Sequence, residues 1–99
     1  MLARLALVLA LATGCAAEQP AAPRDVALAA FDALLVDFDA DAAQTLFAPD
    51  YIQHNPAVPT GAEAAISVIP ALAESGLTST VHRVLAEDDL VVLHVTYEN

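Results

Sequence analysis

Residues 77 to 97, LTSTVHRVLAEDDLVVLHVTY, alternate with a period of two on either side of two adjacent aspartates. β-Branched residues dominate both arms, which is the pattern of two strands joined by a tight hairpin. If Asp88 and Asp89 form the loop, Glu87 faces Leu90, Arg83 faces His94 and His82 faces Val95. One face then carries Thr80, His82, Val84, Ala86, Val91, Leu93, Val95 and Tyr97; the other carries Val81, Arg83, Leu85, Leu90, Val92, His94 and Thr96. Both faces are apolar in their middles. Such a sheet needs helices on one side and a further layer, such as a second subunit, on the other. A two-stranded sheet is not independently stable in water, and TYEN ends the sequence directly off the second strand. The expectation is the front part of a longer chain, or a protein that needs another chain to complete its sheet.

Upstream the period changes to that of helices. Val26, Ala30, Phe31, Leu34, Leu35 and Phe38 recur at steps of three and four, with Asp25, Asp32, Asp37 and Asp39 elsewhere, so one amphipathic helix is predicted from Pro23. Pro23 suits its first turn, and Asp25 suits the positive end of its dipole. A second, short helix is predicted with Asp39 or Asp41 as its N-cap, Leu46 and Phe47 on its apolar side and Pro49 as its stop. TGAE at 60 to 63 matches a capping box, which predicts a third helix with Ile66, Ile69 and Leu72 as its stripe. Pro70 should kink or end the regular part of that helix, and Gly76 should close the segment.

The first residues read as a targeting segment. Met1 to Arg4 is a short basic region, Leu5 to Ala12 is an unbroken apolar run, and Thr13-Gly14-Cys15 closes it with small residues. The run is too short to span a bilayer. LATGC resembles the bacterial lipoprotein signal, in which the cysteine is acylated and becomes the new N-terminus; Ala12 stands where leucine is usual. The domain reading is therefore a signal peptide over 1–14, a proline-bearing tether over 15–23 and a folded domain over 24–99. It implies an exported protein held to the membrane of the cell envelope through a lipid on Cys15, with a periplasmic or secreted form as the alternative.

Thirteen acidic residues against three arginines and no lysine give a formal charge of −10. Nucleic-acid binding through phosphates needs clustered cations, so that class is excluded, and anionic substrates are disfavoured by the same field. A small apolar or neutral molecule is the partner that fits. No glycine-rich phosphate loop and no G-x-S-x-G nucleophile elbow is present.

The densest cluster of hydrogen-bonding side chains is YIQHNP, residues 51 to 56, which is a loop, a strand end at a pocket, or a metal corner. In the predicted register His82 and His94 lie on opposite faces unless a bulge intervenes. The three histidines then cannot converge within the roughly 2 Å that zinc ligation requires, and no metal is expected. Asp50 is the one carboxylate adjoining the cluster.

The order helix, short helix, YIQHNP, a helix opened by Gly61, then VHRVLAEDDLVVLHV is similar to the nuclear-transport-factor-2-like superfamily. Within it the chain resembles the SnoaL-like group of polyketide-cyclase and aldol-condensation enzymes, from about Phe31 to Tyr97. The resemblance implies an α+β cone in which helices pack on a curved mixed sheet around an apolar pocket, here with only the N-terminal helices and first strands. It also implies homodimers and cofactor-independent proton transfer at a carbonyl compound. Family members usually continue with further strands and an acidic closing stretch that holds an aspartate base, which this sequence does not contain. Candidate catalytic residues are His54 as proton shuttle and Asp50 as base or orienter; Tyr51, Asn55 and His94 are candidate pocket residues. Proton abstraction next to a carbonyl needs a base and donors aimed at the enolate oxygen. The competing expectation is a non-catalytic binding or dimerisation domain, or a truncated inactive product.

Overall fold

The computed structural model describes residues 21–99. The signal segment, Cys15 and most of the tether lie outside the described residues. Four helices precede one hairpin: α1 (Pro23–Leu35), α2 (Ala40–Leu46), α3 (Ala62–Ser67), α4 (Ile69–Glu74), β1 (Thr78–Glu87) and β2 (Leu90–Glu98). Among the described residues no helix is long and apolar enough to cross a membrane.

Pro23 opens α1 in its first turn, where the missing N–H has no intrahelical role, and Asp25 sits beside it. The helix ends at Leu35, so Phe38 is not its last apolar position. Phe38 instead takes a left-handed conformation, φ 52°, in the link to α2, yet packs against the same core. Asp39 is the N-cap of α2, and its Oδ1 accepts from the Ala42 N–H at 3.0 Å.

The predicted capping box at Thr60 does not form. Thr60 Oγ1 accepts from the Gln53 N–H at 3.3 Å, so its oxygen serves the preceding loop, and Gly61 is the N-cap of α3. Pro70 divides the predicted third helix: α3 ends at Ser67 and α4 restarts at Ile69, with the proline in its first turn. Gly76 then turns the chain in a left-handed conformation, φ 73°, into β1.

Alanines build the core. Ala33 of α1, Ala43 of α2 and Ile69 of α4 meet, with Leu34, Phe38, Leu46, Phe47 and Ile66 packed around them. Small side chains let three helices approach closely, but no large side chain is fully buried. The hairpin lies against α1, where Val81, Val84, Leu93 and Val95 are half-buried.

The register runs as predicted from Glu87↔Leu90 to Arg83↔His94, and then slips by one residue, so that Val81, not His82, faces Val95. His82 is the extra residue of a β-bulge. The slip corrects the predicted faces. Ser79 and Val81 belong to the helix side, and Thr80 and His82 join Arg83, Leu85, Leu90, Val92, His94 and Thr96 on the outer side. The physical reason is the pattern itself. Thr78 to Val81 and Val84 to Glu87 favour opposite parities for burial, and one extra residue reconciles them.

A cleft lined by hydrogen-bond donors

Residues 51 to 61 form a loop closed on itself. The Gly61 N–H donates to the Tyr51 carbonyl at 2.9 Å, and the Gln53 N–H reaches Thr60 Oγ1. At its tip Asn55 Oδ1 accepts from the Ala57 N–H at 2.9 Å and the Asn55 carbonyl accepts from the Val58 N–H at 3.1 Å, the turn that Asn-Pro favours. Phe47 fixes the first residue of the loop, its ring meeting Tyr51 edge to face with centroids 5.0 Å apart.

Within this loop Tyr51 to Asn55 alternate in direction. Tyr51, Gln53 and Asn55 line a concavity of about 750 Å³, whereas Ile52 is 64 % exposed and His54 is exposed on the other side. The remaining walls are apolar: Leu34 and Leu35 of α1, Val68 and Leu72 around α4, and Leu77 ahead of β1. Tyr97 near the end of β2 closes one flank. Its partner across the sheet is Ser79, whose buried Oγ has no hydrogen-bond partner.

The two amides of the 51–61 loop share one chemical character, while Asn99 adds a polar group at the end of β2. Gln53 Oε1 accepts from the Asn55 N–H at 3.0 Å, and Asn55 Oδ1 from the Ala57 N–H. Only an amide oxygen can accept a backbone N–H, so these bonds orient both amides and leave their NH₂ groups as the donors offered. With the hydroxyls of Tyr51 and Tyr97, the cleft presents donors above an alkyl floor.

Of the residues singled out in the sequence, Tyr51 and Asn55 line the cleft, and His54, Asp50 and His94 do not. Asp50 is exposed in the turn that leads into the loop. His94, a candidate pocket residue by sequence, is on the outer sheet face and exposed. There the bulge brings His82 beside it, ring centroids 5.2 Å apart, with His82 Nε2 2.7 Å from Thr96 Oγ1. Among the described residues no three histidine, cysteine, aspartate or glutamate side chains come together as a metal cluster. Gln53 and Tyr97 were missed as site residues. The period of two in YIQHN carried the signal for Gln53, since it places residues 51, 53 and 55 on one side.

A family model described as a SnoaL-like domain matches residues 27–99. No curated protein and no solved structure matches the chain. With α1 laid against an antiparallel hairpin and α2 to α4 packed beside α1 and one another, the arrangement is α+β and consistent with part of that family's fold, and the chain belongs to the SnoaL-like domains of the nuclear-transport-factor-2-like superfamily.

Proposed function

We propose that the domain binds a small neutral compound bearing a carbonyl group in the cleft between α1, α4 and the 51–61 loop. The observation that carries this reading is the orientation of Gln53 and Asn55, whose oxygens are spent on backbone N–H groups while their NH₂ donors remain for a ligand acceptor. The alkyl walls suit an apolar body, and the acidic surface repels anionic competitors.

Family membership favours a second reading, isomerase- or cyclase-type proton transfer at such a carbonyl. His54 and Asp50 are the groups that would move the proton, and both reach the cleft only if the loop turns over. One experiment separates the readings. A naphthyl ketone fluorophore is expected to shift its emission to the blue on entering the cleft. Val68→Glu abolishes the shift, and Tyr51→Phe weakens affinity about 2- to 10-fold, the size of one hydrogen bond. His54→Ala leaves affinity unchanged. Unaltered binding in both Val68→Glu and Tyr51→Phe would remove the cleft from consideration. Solvent deuterium incorporation next to the ketone, lost in His54→Ala, would replace binding by catalysis.

Export and a lipid anchor on Cys15 complete the proposal, supported by the basic start, apolar run and LATGC. In fractionated bacterial cells the chain is expected with the membranes, and Cys15→Ser is expected to move it to the soluble exported fraction. Membrane retention of that variant would sink the anchor.

A further inference from the structure

Strict alternation sets His82 and His94 on opposite faces of the hairpin, and the bulge puts both on the outer one. Their rings lie with centroids 5.2 Å apart and planes at 46° to each other, and both side chains are exposed. A hydroxyl ties down the first of them: His82 Nε2 is 2.7 Å from Thr96 Oγ1. Thr80 stands opposite Thr96 on the same rung, so hydroxyls border the two imidazoles.

We propose that His82 and His94 together bind one divalent transition-metal ion of the zinc type, its remaining positions filled by water. The span of the pair favours this. A zinc ion lies about 2.0–2.1 Å from each ligating nitrogen and therefore about 3.2 Å from each ring centroid, so at the tetrahedral angle two such rings have centroids about 5.2 Å apart. The two imidazoles already have that separation. A square-planar ion such as copper(II) would draw the centroids in to about 4.5 Å, and zinc fits with the least movement. Because the rings are exposed, each turns about its own side-chain bonds to aim a nitrogen at the ion.

Thr96 supplies orientation. When His82 donates its Nε2 proton to Thr96 Oγ1, its Nδ1 carries the lone pair that a metal takes; metal-bound histidines are commonly held by such an outer hydrogen bond. The charge of the chain, −10, attracts cations to its surface. Arg83, opposite His94, acts against this, but it is exposed and its long stem carries the guanidinium into solvent. A structural zinc takes four ligands from the protein, and here two positions stay open. The ion is therefore exchangeable: the site captures metal and does not hold the fold together.

Calorimetric titration of the full chain with zinc chloride, in a buffer that does not coordinate metals, tests this. One ion per chain is expected at the tightest site. His82→Ala and His94→Ala should each weaken binding at least about tenfold, the loss that removing even an outer-shell partner produces, with circular dichroism unchanged. His54→Ala should leave binding as it was. Thr96→Val should weaken it several-fold and Thr96→Ser should restore it, since the hydroxyl is what orients His82. Arg83→Gln should tighten it about threefold by removing a like charge. On adding zinc the imidazole proton resonances of His82 and His94 should move, and those of His54 should not. Zinc binding that survives in both alanine variants would put the ion on surface carboxylates and overturn the proposal, as would no binding at millimolar zinc. Inorganic phosphate bound in preference to zinc, and lost in Arg83→Gln, would make the cluster an anion site and overturn it equally.

Discussion

Replacing Ile69 by alanine is expected to remove a large share of the domain's stability. Ile69 is 4 % exposed and is the one large side chain in the buried cluster it forms with Ala33 and Ala43. Leu34, Phe38, Leu46, Phe47 and Ile66 pack around that cluster without being buried themselves. Removing three carbons there loses their transfer free energy and leaves a cavity beside Ala33 and Ala43, two side chains too small to fill it. Core isoleucine-to-alanine changes cost about 2–5 kcal/mol, and a domain of this size holds only about 4–12 kcal/mol in total. Ile69→Val should cost about 1 kcal/mol and keep the cooperative transition. Urea titration followed by circular dichroism reads both variants. A loss below about 1 kcal/mol for the alanine variant would show that the α1, α2 and α4 contact is not the centre of stability.

The features read correctly from the sequence are those set by neighbours along the chain. Pro23 at the start of α1, Asp39 as one of two candidates for the cap of α2, and the hairpin turn at Asp88-Asp89 depend on a few adjacent residues, and the local rules describe them. The features that escaped are those in which a distant group competes for the same atom or the same face. Thr60 has the residue pattern of a capping box, but Gln53, seven residues earlier, offers its N–H to the same oxygen. His82 continues a strict alternation by sequence, yet burying Val81 as well as Val84 against α1 requires an extra residue between them. Two histidines assigned to opposite faces therefore share one.

The candidate site shows the same division. YIQHNP was legible as the polar segment at a pocket, and Tyr51 and Asn55 were legible as donors, because the residue types state their chemistry. His54 drew attention as the one imidazole of the segment, and its direction followed from something simpler: an extended stretch sends every second residue the same way. Fold membership does not decide between binding and turnover. Tyr51, Gln53 and Asn55 line the cleft and His54 does not, so the conformation of that loop is what chemistry in the cleft would depend on.

That conformation rests on Gly61, and Gly61→Ala is expected to disturb the cleft more than the rest of the fold. Gly61 has φ 109° and ψ 149°, a region that residues with a side chain populate only under strain. An added Cβ would meet nothing within 4 Å, so the cost is conformational and not steric, of order 1–3 kcal/mol. Relief comes most cheaply by turning the peptide that precedes α3. This movement withdraws the N–H from the Tyr51 carbonyl and carries Thr60 Oγ1 away from Gln53. Both ties that hold Tyr51 and Gln53 against the cleft would open, while β1 and β2 keep their hydrogen bonds. Amide hydrogen exchange resolves this residue by residue: the protons of Gly61 and Gln53 should exchange at least about tenfold faster in the variant, and those of Val84 and Leu93 should change only with the global stability. The naphthyl ketone should lose affinity in proportion to the opening. Uniform acceleration across loop and hairpin would mean that the loop opens only when the whole domain does, and that Gly61 serves the fold and not the site.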